Sequence, residues 1–232
     1  MFTMGDDRYY SEKLSADRLK RCYDIAPPRT RQYLEAELDY ATSLLNENDI
    51  VLELGCGYGR ILPRLAESGQ SVVGIDTSYN SLLMAKNDYI GGKRINLLEA
   101  NANLLPFRNA SFDAVLVLQN GISAFKVNPL QLMTETIRVT RAGGLSIFSS
   151  YSPNFWDDRM EWFRLQSEEG LLGEIDWNLT KDGEIVCKDG FRATTFTKED
   201  FLALTNSLET GNIEVTISEV DKSSIFCIIL VL

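Results

Sequence analysis

The chain predicts an α/β fold, a doubly wound sheet of mostly parallel strands with helices on both faces, and three observations carry that expectation. Short apolar, β-favouring runs at 51–54, 71–75, 95–99, 111–118 and 145–149 alternate with stretches whose apolar residues recur at helical spacing. The first run passes directly into Gly55-Cys56-Gly57-Tyr58-Gly59, and the second ends on Asp76. At 232 residues and 44% hydrophobic composition, the chain suits one α/β-sized domain with an insertion.

The N-terminal part reads as two helices, Ser11 to Tyr23 and Arg29 to Leu45, separated by Pro27-Pro28. After the strand Val51 to Leu54, residues Ile61, Leu62, Leu65 and Ala66 mark a helix that Gly69 closes, so the glycines lie between a strand and a helix start. Glycine there permits positive φ and lets a ligand approach the backbone, while the helix start presents unpaired N–H groups. The spacing is G-x-G-x-G, and Arg60 stands where a dinucleotide fingerprint needs its third glycine. That weakens a nicotinamide dehydrogenase reading.

With Glu53 two residues before the first glycine, this stretch resembles motif I of the class I S-adenosylmethionine (SAM)-dependent methyltransferases, of the type 11/25-like kind. The resemblance implies a Rossmann-like, seven-stranded sheet of order 3-2-1-4-5-7-6 with strand 7 antiparallel. It implies SAM as cofactor, held by Glu53, Gly55, Cys56, Gly57 and Gly59. Asp76, about twenty residues past the loop, is placed to accept from ribose hydroxyls, and Thr77 follows it. Residues 100–107 (Ala-Asn-Ala-Asn-Leu-Leu-Pro-Phe) resemble the family's G-D-A-x-x-L-P-F segment, with Asn101 in place of the acid that accepts from the adenine amine and Ala102 beside it. Gln119 and Asn120 close the fourth strand, on the side of the sheet where ligands sit, so both are expected to face the methionine part of the cofactor or the substrate, with Gln119 counted among the cofactor-binding residues. Motifs carry the resemblance over about residues 40–150, and pattern alone carries it over 196–232.

Asn128-Pro129 starts a helix that Gly143-Gly144 is expected to end before the fifth strand. Residues 153–195 exceed a minimal core. An aromatic helix around Phe155, Trp156, Trp162 and Phe163 precedes strands at 173–179 and 184–191, joined by a turn near Lys181-Asp182-Gly183. Thr197 to Asp200 reads as a capping box, and 213–220 and 224–231 as the last two strands. The expected division is a helical cap (1–45), the SAM-binding core (46–152), a lid or substrate insertion (153–195) and a closing helix with strands (196–232). A dimerisation arm, and with it a homodimer, or a simple cover for the sheet edge is an equal reading of the insertion. Tyr10, Tyr23, Asn120, Tyr151 and Trp156 are the expected substrate contacts.

Composition narrows the chemistry. A net charge of −10 opposes nucleic-acid binding, and the absence of histidine excludes a histidine base, ligand or triad. The four cysteines show no C-x-x-C pair, so neither a zinc cluster nor any other metal site is expected, and reduced thiols fit a cytoplasm. Met1 to Asp7 carries no signal-like pattern and no apolar run approaches a membrane span, so the expectation is a soluble protein. The leading reading is methyl transfer from SAM to a small molecule by in-line displacement, with no catalytic base singled out. A protein or RNA methyltransferase and a non-catalytic SAM-binding module stay open.

Overall fold

The computed structural model describes residues 9–67, 71–91, 94–209 and 212–232. Met1 to Asp7, Gly69 and Gly92 lie outside the described residues. A seven-stranded sheet forms the centre. β1 (Ile50–Leu54) pairs in parallel with β2 (Ser71–Asp76) and β4 (Phe112–Val117), β2 with β3 (Ile95–Glu99), and β4 with β5 (Thr140–Tyr151). β9 (Ser224–Val231) runs antiparallel between β5 and β8 (Ile213–Val220). The order is β3-β2-β1-β4-β5-β9-β8. Setting aside the separate hairpin of β6 (Glu184–Val186) and β7 (Arg192–Thr194), this is the expected 3-2-1-4-5-7-6 arrangement with its seventh strand antiparallel.

Every residue of β4 and four of five in β1 are buried, because helices cover both faces; hence the unbroken apolar runs. α2 (Pro28–Ser43), α3 (Leu62–Leu65) and α4 (Tyr79–Asp88) cover one face, and α6 (Pro129–Val139) and α8 (Lys198–Asn206) the other, with the short α5 (Gly121–Ala124) following β4. The expected caps form. Asn128 accepts from the amides of Leu130 and Gln131 ahead of Pro129, and Thr197 and Asp200 make a reciprocal capping box. The chain order reverses between β1 and β4, and at that switch point the strand ends open a cleft.

A second apolar core lies beyond the strand ends. It joins an N-terminal π-helical turn (Tyr9–Lys13), α1 (Ala16–Asp24), part of α2, α7 (Trp156–Glu168) and the β6–β7 hairpin. This assembly roofs the cleft.

Three local expectations are corrected. The single helix at 11–23 is a π-turn and α1, broken at Leu14-Ser15; Ala16 takes a positive φ of 47° and its N–H donates to Ser81 Oγ at 2.9 Å, so docking on α4 overrides helical continuity. Gly143-Gly144 does not end a helix; both lie inside β5, which follows α6 without a loop. A Cβ on Gly144 would lie 2.6 Å from the Asp113 carbonyl, and the β4–β5 register shifts nearby, so glycine serves a strand irregularity. The hairpin also turns elsewhere. β6 pairs with β7 across Asp189-Gly190, whereas Asp182-Gly183 closes only the Lys181–Glu184 bridge, and residues 173–179 contribute one bridge, Ile175 to Cys187. Two Asp-Gly pairs were available, and packing on the second core selected the later one.

Candidate functional site

A cavity of about 330 Å³ lies between the C-terminal ends of β1, β2 and β4 and the roof. Its floor is backbone. Gly55 (φ 73°) and Gly57 (φ 53°) both line it, in a conformation open to glycine at little cost, and a Cβ on Gly55 would overlap the Phe125 ring. The loop is tied to its neighbour strand: Gly55 and Cys56 amides donate to Ile75 O at 2.8 and 2.9 Å, and the Gly57 amide donates to Asp76 Oδ2 at 2.9 Å. Asp76 Oδ1 accepts from Ser78 N at 2.7 Å. Gly55 and Asp76 therefore face one cavity.

Burial decides the charges here. It raises the Asp76 carboxyl, against the amides of Ser78, Gly57 and Thr77 that stabilise its anion. Glu53, buried, is pushed up to about 8 by burial and by Asp76, with Arg60 opposing, and its Oε2 has no hydrogen-bond partner. Glu37 on α2, also buried, is pushed up to about 7 by burial, with Ser149, Arg60 and the Gln119 amide opposing. Arg60 lies 4.7 Å over the Tyr23 ring with Nη2 unpartnered. Where a dinucleotide loop packs a third glycine, this chain has a cation among buried acids.

Of the residues named from sequence, Glu53, Gly55, Gly57, Asp76, Thr77, Asn101, Ala102, Gln119, Tyr10, Tyr23 and Tyr151 line the cavity. Gln119 sits in left-handed backbone (φ 53°) just past β4, its Oε1 accepting from Tyr23 O–H at 2.8 Å and its N–H donating to Ser149 Oγ at 2.9 Å. Asn101 Oδ1 accepts from Asn103 N at 2.8 Å, while Asn103 Oδ1 is buried without a partner and Asn103 also lines the cavity.

Four stand outside the lining. Cys56 is buried, its thiol raised by burial, with Sγ positioned against Gly74. Gly59 lets α4 approach at Ala85. Asn120 holds the hairpin: Nδ2 donates to Thr194 O at 3.1 Å and Oδ1 accepts from Ser150 Oγ at 2.8 Å. Trp156 packs on the second core beside Arg159.

Sequence reasoning passed over Gln166, Phe191, Asn103 and Lys126, and named Trp162 and Phe163 only as part of an aromatic helix; all six are in the lining. Lys126, lowered to about 8 by burial, donates to Arg192 O at 2.5 Å. The α7 residues had a readable signal: 159, 162, 163 and 166 fall on one helical stripe. Among the described residues, no group of three His, Cys, Asp or Glu side chains is placed to hold a metal, and no helix is long and apolar enough to cross a membrane.

An open parallel sheet, a glycine loop at its switch point and an acid ending the next strand define an α/β protein built to bind a nucleoside derivative. Residues 51–144 match a family model described as a methyltransferase domain. A malonyl-[acyl-carrier protein] O-methyltransferase of Marinomonas is 30% identical over 66% of this chain and 56% of its own length. A demethylmenaquinone methyltransferase of Clavibacter sepedonicus is 33% identical over 44% of this chain and 41% of its own length. The chain thus spans about half the length of these curated relatives. In fold it is similar to a magnesium protoporphyrin IX methyltransferase of Synechocystis solved with bound SAH (TM-score 0.63, 16% identity, 97% of this chain and 98% of that one). It is also similar to a SAM-dependent methyltransferase of Aquifex aeolicus (TM-score 0.62, 15% identity, 94% and 100%). Residues 51–144 thus carry a methyltransferase domain, and in fold the chain is similar to the class I SAM-dependent methyltransferases, whose cofactor is SAM.

Proposed function

We propose that the protein transfers a methyl group from SAM to a small-molecule acceptor. The observation that carries this reading is the opening of Gly55, Gly57 and Asp76 onto one cavity whose opposite wall is aromatic. The chain's unpaired groups suit the cofactor. Asp76 keeps lone pairs for ribose hydroxyls beyond the two amides it accepts, and Asn103 Oδ1, with Asn101 beside it, offers an acceptor to the adenine amine. Glu53, with Oε2 free of partners, offers a carboxylate to the amino group of the methionine part.

SAM supplies a sulfonium-bound methyl group as electrophile, so the protein need only align the acceptor atom and exclude water. Alignment alone is worth several kcal/mol of barrier. Gln119, fixed by Tyr23 and Ser149 at the strand end, and Tyr151 beside the roof are placed to orient the acceptor; the 153–195 insertion serves as its lid.

Isothermal titration with S-adenosylhomocysteine (SAH) tests the reading. Wild type should bind, and Asp76→Ala should weaken binding roughly 100-fold, since two hydrogen bonds to a charged group are lost. Unchanged affinity in that variant, with circular dichroism intact, sinks the assignment.

A further inference from the structure

The cavity's two walls differ in chemistry, and one residue of the roof has no role inside the protein. The buried stripe of α7 is Arg159, Trp162, Phe163 and Gln166, polar at both ends. Arg159 commits its terminal nitrogens to the hairpin and its flanks and stands outside the cavity lining: Nη1 donates to Gly183 O at 3.0 Å and Thr195 Oγ1 at 2.6 Å, and Nη2 to Ala193 O at 2.9 Å, leaving only Nε without a partner. Gln166 differs. It is 4% exposed, it lines the cavity, and its side-chain Nε2 is buried with no partner. Its backbone carbonyl is occupied by the Leu171 and Leu172 amides, so local structure uses the residue's main chain only. A buried amide donor without an acceptor is uncommon and destabilising. A ligand oxygen would satisfy it.

The surroundings specify that ligand. Trp162, Phe163, Phe191 and Tyr10 present rings around this part of the cavity, with Leu14 and Leu19 completing it. The indole N–H of Trp162 is already given to Cys22 O at 2.8 Å, which fixes the ring's orientation. No charged side chain of α1 or α7 lines the cavity: Glu53 and Asp76 belong to the floor, and Lys126 is bonded to a hairpin carbonyl. Arg159 lies behind the wall, 4.2 Å over the Tyr151 ring. Against α1 and α7 a charged molecule would lose its hydration with no counter-ion on either helix to meet it.

We infer that this end of the cavity seats an uncharged, planar, aromatic-sized methyl acceptor, with Gln166 Nε2–H donating to an oxygen on its ring system. The inference rests on the methyl-transfer reading. Gln166 then determines specificity, because a site built to hydrogen-bond one oxygen rejects analogues that lack it or carry charge in its place.

The test is isothermal titration of the full chain saturated with SAH, using 2-naphthol and 2-naphthoate as probes. 2-Naphthol should bind at least tenfold more tightly than 2-naphthoate. Gln166→Met, close in size, should weaken 2-naphthol about tenfold while leaving SAH affinity within twofold; Gln166→Leu repeats the measurement should the first variant fold poorly. Equal binding of the two probes, no binding of 2-naphthol to the SAH-loaded protein, or unchanged 2-naphthol affinity in the folded variant overturns the inference. Failure of wild type to bind SAH, with the naphthol preference intact, overturns the methyl-transfer reading alone and leaves the aromatic seat standing.

Discussion

The floor and the roof of the cavity are built by opposite means. The floor is main chain held in register: Gly55, Cys56 and Gly57 amides donate to Ile75 and Asp76, so the shape follows from strand pairing and from residues within 22 positions of one another. The roof is made of side chains from segments far apart in sequence. Trp162 reaches Cys22, Arg18 donates to Leu171 O at 3.0 Å, and Tyr9 bonds Asp189. A floor of this kind tolerates side-chain substitution except at its glycines and Asp76, whereas the roof depends on a few long-range contacts. Cofactor chemistry is common to a family and acceptor chemistry is not, so this division suits a protein that keeps one cofactor and varies its acceptor.

Arg159 gives that contrast its sharpest break. Arg159→Leu removes three hydrogen bonds to the hairpin and its flanks from a fully buried side chain, with a cost of about 3 kcal/mol in urea unfolding. If the regions are separable, SAH affinity should change less than threefold while binding of aromatic ligands is lost. A proportional loss of both would show that the roof also shapes the floor.

The floor and α2 carry the pH response. Glu37 is held near 7 in the folded protein, above the ordinary value for a carboxylic acid, chiefly by burial. Its native proton therefore favours the fold fully below about pH 4.5, the range in which the unfolded chain is also protonated. This contribution is lost as pH rises through 7. Glu37→Gln should flatten the fall, gaining on the order of 2 kcal/mol relative to wild type between pH 5 and pH 8. Urea midpoints across that range would check it; parallel curves for the two proteins would show that Glu37 ionises with no penalty.

The floor was legible because its signals are local. The glycine spacing, Glu53, Asp76, Asn128-Pro129 and the Thr197 capping box each act within a few residues, and resemblance supplied the strand order. The roof was not, because its contacts are non-local. Trp156 and Trp162 have similar composition around them, yet six residues at roughly 100° each turn Trp156 well away from the direction of Trp162, and only Trp162 lines the cavity. Only the ladder shows which Asp-Gly turn joins β6 and β7, and only the fold shows Asn120 committed to Thr194 and Ser150.

The smallest expected effect tests the roof at its edge. Tyr9 O–H donates to Asp189 Oδ2 at 2.7 Å, and its ring sits edge-on to Phe191 at 5.2 Å; Lys13 Nζ also donates to Asp189 O at 3.3 Å and the Tyr10 ring tilts against Phe191, so the N-terminal turn is tied to the β6–β7 turn. Tyr9→Phe keeps the ring and deletes the bond, a loss of about 1 kcal/mol. Because the tie joins two segments at the edge of the second core, that cost should appear as local opening rather than in the global transition. Amide hydrogen exchange should speed up several-fold over residues 9–24 and 187–191, with β1, β2 and β4 unchanged and SAH affinity unaltered. Faster exchange spread evenly through the sheet would mean that the two walls unfold as one unit.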